Sequence, residues 1–204
     1  MVMPEIRAKE PRLSTRDNIT EMADALFYEH GFEATSFADI AGVVGVSRGN
    51  FYYHFKTKDE ILDAVIARRM GSTRDMLAQW EALSPSPEGR LKCFIQILVT
   101  NGPKIMAHGC PVGSLCGELV KLDHQHLGKV AGIFTLFRQW LSRQFTLLGH
   151  GEQADMLAMH LLMRSQGIAT LAAAYQDSGF VDREVAGTEA WIDELVADAR
   201  NPKE

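Results

Sequence analysis

The stretch that decides the fold is Ser36–Lys58, SFADIAGVVGVSRGNFYYHFKTK. Ser36 and Ser47 are N-cap signals for two successive short helices. Between the two helices, Gly45 stands where the chain must turn sharply, a position that favours a residue tolerating positive φ. The second helix carries two phenylalanines four residues apart on one face, which leaves its polar side chains on the other faces. This pattern predicts a helix-turn-helix, whose second helix can lie in the major groove of DNA.

Helices on both sides of this stretch extend the pattern. Apolar residues recur at helical spacing over residues 19–27, between an N-cap signal at Ser14 and a closing glycine at Gly31. Downstream, Thr57 and Glu60 predict a capping box for the next helix, which begins directly behind the helix-turn-helix. Together these signals predict a three-helix head followed at once by a fourth helix.

The residues of this head resemble those of the TetR/AcrR family of bacterial transcriptional repressors. The resemblance covers roughly the first third of the chain, and there are departures at Val44 and Asn50. It is carried by Gly31-Phe32, Thr35-Ser36, Ile40-Ala41, Gly45-Val46-Ser47, Gly49, Tyr52, His54-Phe55 and Lys58. Such a run at fixed spacing is more specific than a generic helix-turn-helix pattern.

Roles on DNA follow from residue chemistry and from the resemblance. Arg48 can present a bidentate fork to guanine, and Asn50 can pair with adenine or contact a phosphate. The resemblance implies that Tyr52, His54 and Lys58 hold phosphates. The predicted DNA-binding set is Ser36, Ser47, Arg48, Gly49, Asn50, Tyr52, Tyr53, His54 and Lys58.

Composition supports an ordinary globular protein and gives no general electrostatic support for DNA binding. The net charge is −5, whereas proteins that work mainly by phosphate neutralisation are usually basic. Local placement differs, since residues 44–58 contain Arg48, Lys56 and Lys58 and no acidic residue. Three cysteines, no signal-peptide pattern and no long apolar span predict a cytoplasmic protein without a membrane segment.

The rest of the chain is predicted to be helical. One long helix runs from Lys58 to about Glu81, and Gly102-Pro103 kinks or ends a later helix. Pro111 suits the first turn of another helix, making Cys110 its N-cap. The predicted fold is all-α with about nine helices, a helix-turn-helix domain at residues 12–72 and a ligand-binding and dimerisation domain at residues 73–204.

Cys110 and a set of soft side chains are the candidate functional groups of the second domain. A cysteine at an N-cap can be activated by the helix dipole, but a small packed side chain is the favoured interpretation. The candidate pocket residues are Phe94, Leu98, Met106, Cys110, Phe134, Phe137, Met159 and Met163. No cofactor is expected. No metal site is expected either, since a helix would point His124 and His126 apart and no third ligand follows them.

These features predict a regulator rather than an enzyme. The favoured hypothesis is a homodimer that represses transcription from a palindromic DNA operator and is released by a small-molecule inducer. One alternative is a repressor that senses electrophiles or oxidants through Cys110. Another is a helical enzyme using Cys110 as nucleophile and His108 or His124 as base. Dimerisation is assigned to residues 158–175 and 191–199, with Gly167 and Ala172 allowing close crossing and Ile192, Leu195 and Val196 providing apolar area.

Overall fold

Ten helices make up the part of the chain that the computed structural model describes, residues 14–200. They are α1 (Thr15–His30), α2 (Phe37–Val44), α3 (Arg48–His54), α4 (Lys58–Leu83), α5 (Pro87–Thr100), α6 (Gly102–His108), α7 (Pro111–Lys121), α8 (Leu127–Leu147), α9 (Ala154–Tyr175) and α10 (Ser178–Arg200). No strand occurs between residues 14 and 200, which confirms the predicted all-α fold. Residues 12 and 13 of the predicted first domain lie outside the described residues, as do residues 201–204 of the second.

The tenth helix arises at the Gly102-Pro103 interruption. The backbone leaves helical geometry at Asn101, and α6 then forms a separate seven-residue helix. Cys110 caps α7 as predicted, because its Sγ accepts a hydrogen bond from the Gly113 amide at 3.4 Å. Pro103 has no amide proton and cannot continue the hydrogen bonds of α5, so α5 and α6 form in place of one longer helix.

The predicted caps fix the head. Ser36 and Asp39 form a reciprocal capping box, and Gly45 takes a left-handed conformation with φ of 70°. The Thr57 hydroxyl accepts from the Glu60 amide at 3.1 Å, but the Glu60 carboxylate accepts from the amide of Lys56 rather than that of Thr57. The first turn of α4 is therefore hydrogen-bonded to Lys56, two residues after the end of α3.

One continuous apolar core joins the head to the rest of the molecule. Ile19, Phe51 and Phe55 are buried inside the head, and α4 continues the same cluster into the helices that follow. The predicted domain boundary between residues 72 and 73 falls inside the unbroken helix α4. Among the described helices, none combines the length and the apolar character needed to cross a bilayer.

Candidate nucleic-acid interface

Helix α3 presents one buried and one exposed face. Phe51 and Phe55 are almost fully buried, which fixes the helix against α1 and α2. The predicted contact residues Ser47, Arg48, Gly49, Asn50, Tyr52 and Tyr53 are exposed, and His54 is half-buried. Tyr53 is the most open of the large side chains here, with 77% of its surface exposed. A Cβ built at Gly49 would meet no other atom within 4 Å, so the outer side of this helix is open.

Arg16 holds the end of α3 and was not predicted. Its Nη1 donates to the His54 carbonyl oxygen at 2.6 Å, and its guanidinium lies 4.0 Å from the centre of the Phe55 ring. A cation at a helix C-terminus is favoured by the helix dipole. The contact joins residues 38 positions apart, so local sequence patterns carry no signal for it.

Ser36 is already engaged inside the chain. Its amide and its hydroxyl both donate to Asp39 Oδ2, at 2.8 Å and 2.7 Å. These two hydrogen bonds lower the pKa of the Asp39 carboxyl group. A phosphate at the start of α2 would therefore have to compete with the Asp39 carboxylate for the Ser36 donors.

Lys58 also has partners within the chain. Its ammonium donates to the carbonyl oxygens of Phe32, Glu33 and Thr35, at 3.0, 3.1 and 3.3 Å. It also lies 4.4 Å from the centre of the Phe32 ring. The geometry gives Lys58 a role in bracing the turn between α1 and α2. Lys56 is the more exposed of the two cations, and its ammonium donates to the Tyr52 carbonyl oxygen.

Glu118 of α7 accepts hydrogen bonds from the turn between α1 and α2. The two carboxylate oxygens of Glu118 accept from the amides of Phe32 and Glu33, each at 2.8 Å. Gly31, with φ of 91°, permits this approach, since a Cβ there would lie 3.1 Å from Glu118 Oε1. We call the contact of Glu118 with the 31–35 turn the carboxylate clamp. It is a direct link between head and body that the sequence did not reveal.

The comparisons with known proteins agree with this geometry. The family described as "Bacterial regulatory proteins, tetR family" matches residues 19–65, which include all of α2 and α3. An "Uncharacterized HTH-type transcriptional regulator in lacX 3'region" of Lactococcus lactis subsp. lactis is 27% identical over 168 residues, covering 80% of this chain and 86% of that protein. The HTH-type transcriptional regulator TtgR of Pseudomonas putida is 41% identical over 73 residues, which cover 36% of this chain and 34% of TtgR. Residues 19–65 are therefore a helix-turn-helix domain of the TetR type.

Solved structures show the same fold over about nine tenths of the chain. A TetR transcriptional regulator from Legionella pneumophila superimposes with a TM-score of 0.78 at 24% identity, covering 90% of this chain and 98% of that one. The SCO4454 regulator from Streptomyces coelicolor gives a TM-score of 0.73 at 17% identity, covering 91% of this chain and 95% of that one. The curated relatives are described as helix-turn-helix transcriptional regulators, and the comparisons support this broad function.

The eight predicted pocket residues do not meet at one place. Phe94, Leu98 and Phe137 are buried in the packed core, and Phe94 contacts Phe137 with ring centres 5.5 Å apart. Met106 and Cys110 are half-buried in α6 and before α7. Phe134, Met159 and Met163 line an open groove of about 300 Å³ between α8 and α9, with Thr135, Arg138, Leu162 and Gln166.

Arg69 is a cation near Cys116 and near the residue that follows Cys110. Arg69 donates to the carbonyl oxygen of Pro111, the residue after Cys110, and to Asp24 Oδ1 at 2.7 Å. Burial raises the pKa of the Cys116 thiol, Cys110 adds to that effect and Arg69 opposes it. The charge of Arg69 is thus largely matched by Asp24. A packing or sensing role for Cys110 stays a prediction.

His124 is too far from Cys110 to act as its base in the enzyme hypothesis. Cys110 precedes α7 and His124 follows it, so an eleven-residue helix separates them, about 16 Å long at 1.5 Å per residue. His108 packs its ring edge against Tyr28 instead of against a carboxylate that could orient it.

The prediction that His124 and His126 point apart is wrong. Helix α8 begins at Leu127, after both histidines, and both imidazoles therefore lie in a loop where Asp123 has φ of 48°. Their ring centres are 5.1 Å apart. Helix α4 brings Asp59 to within 3.3 Å of His124 Nε2, a third polar group that no local spacing predicts.

The predicted apolar contribution of α10 to a dimer is also wrong in part. Ile192 and Val196 are buried within their own subunit, where α10 packs on α5 and α9. Gly167 stands on the exposed side of α9, with nothing within 4 Å of a built Cβ, whereas Ala172 is buried. The exposed large apolar side chains of α9 are Met156, Met159, Met163, Leu171 and Tyr175.

Proposed function

We propose that the protein is a homodimeric repressor that binds a palindromic operator through α3 and is released by a small, largely apolar inducer. The observation that carries the DNA-binding part is the outer face of α3. Two buried phenylalanines fix the helix, and the exposed Arg48, Asn50 and Tyr53 stand on a segment, residues 44–58, that has no acidic residue.

Each exposed side chain suits a group on DNA. The fork of Arg48 matches guanine O6 and N7, and its guanidinium lies 5.7 Å from the centre of the Tyr52 ring, which limits its directions. Tyr53 can contact a thymine methyl group or a sugar. The open space over Gly49 allows the backbone to approach the duplex. In this proposal Arg48 reads sequence, whereas Tyr52, His54 and Lys56 position the head.

Helix α9 supports the homodimer. Its exposed apolar side chains lie at positions 156, 159, 163, 171 and 175, spacings of three, four, eight and four residues that keep them on one broad side of the helix. An unpartnered apolar face of this kind is unusual on a monomer and suits an isologous contact with the same face of a second copy. Two copies would then present their α3 helices to successive major grooves, with half-sites about 34–36 Å apart.

The groove between α8 and α9 supports the inducer site. Met159 and Met163 belong both to the apolar face and to the groove, so a second copy packed on α9 would cover its mouth. The methionines and Phe134 offer an adaptable apolar lining, with Gln166 as a polar group. A ligand that binds one arrangement of the two subunits better than the other would shift the population away from the DNA-binding state.

Fluorescence anisotropy with two DNA duplexes tests the proposal. One duplex carries the DNA that precedes the protein's own gene, and the other is a scrambled duplex of equal length. Specific regulators bind their sites about 10³-fold or more tightly than other DNA, so we expect a difference of that size. Equal affinity for both duplexes at every salt concentration would contradict specific binding at this site.

A further inference from the structure

Two imidazoles and two carboxylates converge where the start of α4 meets the loop between α7 and α8. His124 Nδ1 and His126 Nδ1 are 3.4 Å apart, and Asp59 Oδ1 lies 3.3 Å from His124 Nε2. One donor atom from each of Asp59, His124 and His126 falls within 4.8 Å of the other two. A fourth group, Asp63, places its Oδ1 2.9 Å from His126 Nε2.

The hydrogen bonds of this cluster leave a place for one more positive charge. The amide of His126 donates to His124 Nδ1 at 3.2 Å, so this nitrogen carries a lone pair and His124 keeps its proton on Nε2, facing Asp59. A neutral His126 has one ring proton for two acceptors. If the proton is on Nδ1, the Nε2 lone pair of His126 faces the Asp63 carboxylate. If the proton is on Nε2, the Nδ1 lone pair of His126 faces the lone pair of His124 Nδ1. A cation that takes both Nδ1 lone pairs removes the conflict, and the hydrogen bond from the His126 amide to His124 Nδ1 is then broken.

We propose that Asp59, His124 and His126 bind one divalent transition-metal ion of the Zn²⁺ type. Two imidazoles and one carboxylate are a ligand set that Zn²⁺ and its neighbours favour, whereas Mg²⁺ and Ca²⁺ favour oxygen ligands alone. With Zn–N bonds of about 2.0–2.1 Å, two tetrahedral ligands stand roughly 3.4 Å apart, which is the separation of the two Nδ1 atoms. Asp59 Oδ1 now faces His124 Nε2 rather than Nδ1, so it has to leave that contact and turn toward the ion, and water completes the coordination.

The surrounding residues hold these ligands in the way that metal ligands are commonly held. Asp63 accepts at His126 Nε2, which orients the imidazole and directs Nδ1 at the proposed ion. Gln125 Nε2 donates to Asp59 Oδ2 at 3.0 Å, and the Phe32 ring packs edge-on against His124. Lys129 Nζ pairs with the same oxygen, Asp63 Oδ1, at 2.6 Å, and its exposed side chain can turn outward into solvent when the ion binds.

The position of the site gives the ion a consequence for DNA binding, and this step rests on the proposed function. Asp59 is the second residue of α4, which begins four residues after α3 ends. The two histidines belong to the body. A bound ion would join the two and restrict the orientation of α3, so that metal occupancy changes the affinity for the operator.

Metal binding to the chelator-treated full chain is the test. Calorimetric titration with ZnCl₂ and visible absorption with Co²⁺ are expected to give one saturable site per chain. His124→Gln, His126→Gln and Asp59→Asn should each weaken binding by about 100-fold or more, and Asp63→Asn by about 10-fold as an orienting group. His30→Gln, an exposed histidine outside the cluster, and the triple variant Cys93→Ser/Cys110→Ser/Cys116→Ser are the controls and should bind as wild type does.

Several outcomes overturn the proposal. These are the absence of saturable binding, binding that survives His124→Gln and Asp59→Asn in variants with native circular dichroism, and binding lost in the cysteine variant. A cluster that binds no metal, but whose His126→Gln variant loses the pH dependence of wild-type stability, is a proton site and overturns it too. DNA-binding anisotropy with and without Zn²⁺ separates the metal site from the proposed repressor function. If the protein binds no DNA under either condition, only the repressor proposal is contradicted, because the metal titration is carried out without DNA.

Discussion

At the scale of single residues, Arg48 is the position where sequence reading and general DNA affinity can be separated. Arg48→Ala should weaken binding to the operator by about 1–3 kcal/mol and leave binding to scrambled DNA nearly unchanged, because one bidentate base contact is lost. Arg183→Ala, an exposed arginine on α10, is the matched control. Equal losses on both duplexes would remove Arg48 from the base-reading residues.

Two neighbouring lysines should behave differently. Lys58→Ala should lower the free energy of unfolding by about 1–3 kcal/mol, since it removes a cation that bonds three carbonyl oxygens. Lys56→Ala should leave stability unchanged and reduce the salt dependence of DNA binding by about one unit of slope, as expected for a single phosphate contact. Denaturant titrations and anisotropy at several salt concentrations measure both. A stable Lys58→Ala variant with a reduced salt slope would restore the phosphate role that the family resemblance implies.

Tyr28 should titrate at unusually high pH. Burial raises the pKa of its phenol to about 12, Cys110 adds to the effect and Arg69 opposes it. In the unfolded chain a tyrosine ionises near pH 10, so the stability linked to the neutral phenol is present below that pH and is lost as pH rises toward 12. Tyr28→Phe should remove the tyrosinate absorbance step near pH 12 and make alkaline unfolding less steep. An unchanged absorbance titration would show that Tyr28 does not ionise there.

At the scale of elements, α9 is the helix on which the dimer should depend. Met163→Glu places a charge in the middle of its exposed apolar face and should produce monomers in sedimentation experiments, with operator affinity falling as dimers are lost. Val120→Glu, an equally exposed apolar position on α7, is the control and should stay dimeric. A Met163→Glu dimer with wild-type affinity for itself would exclude this face.

Element boundaries followed from the sequence wherever local chemistry sets them. Ser14, Ser36, Ser47, Thr57 and Cys110 all cap the helices they were predicted to cap. The loop at residues 122–126 was misassigned because its left-handed turn falls on Asp123 rather than on a glycine, so the usual turn signal is missing. Because α8 begins only after His126, the two histidine side chains approach each other instead of pointing apart.

At the scale of the whole molecule, contacts between distant segments could not be predicted. The Arg16 contact with the end of α3, the carboxylate clamp and the approach of Asp59 to His124 each join residues 38 or more positions apart. The exposed face of α3 was predictable, because it depends only on the helical positions of two phenylalanines. The buried partners of α10 were not, since its apolar stripe reads equally well as an intramolecular or an intermolecular contact.

The shared core predicts that head and body unfold together. All three tryptophans lie at or beyond residue 80, so their fluorescence reports the body, whereas circular dichroism reports every helix. The two thermal transitions should coincide. Glu118→Ala should lower their common midpoint by several degrees, because about 2 kcal/mol of hydrogen bonding from two amides is lost. If the circular dichroism of the wild type falls at a lower temperature than its fluorescence changes, the head unfolds separately from the body.

Because α4 is one unbroken helix, a small structural change at its body end can produce a large displacement at its DNA-binding end. Its 26 residues span about 39 Å, so pivoting the helix by about 5° at one end displaces the other by about 3.4 Å. In a symmetric pair both displacements add, to about 7 Å against a groove-to-groove distance of about 34 Å. A lever arm of this length converts a side-chain-sized disturbance in the body into a misfit that rigid duplex DNA cannot follow.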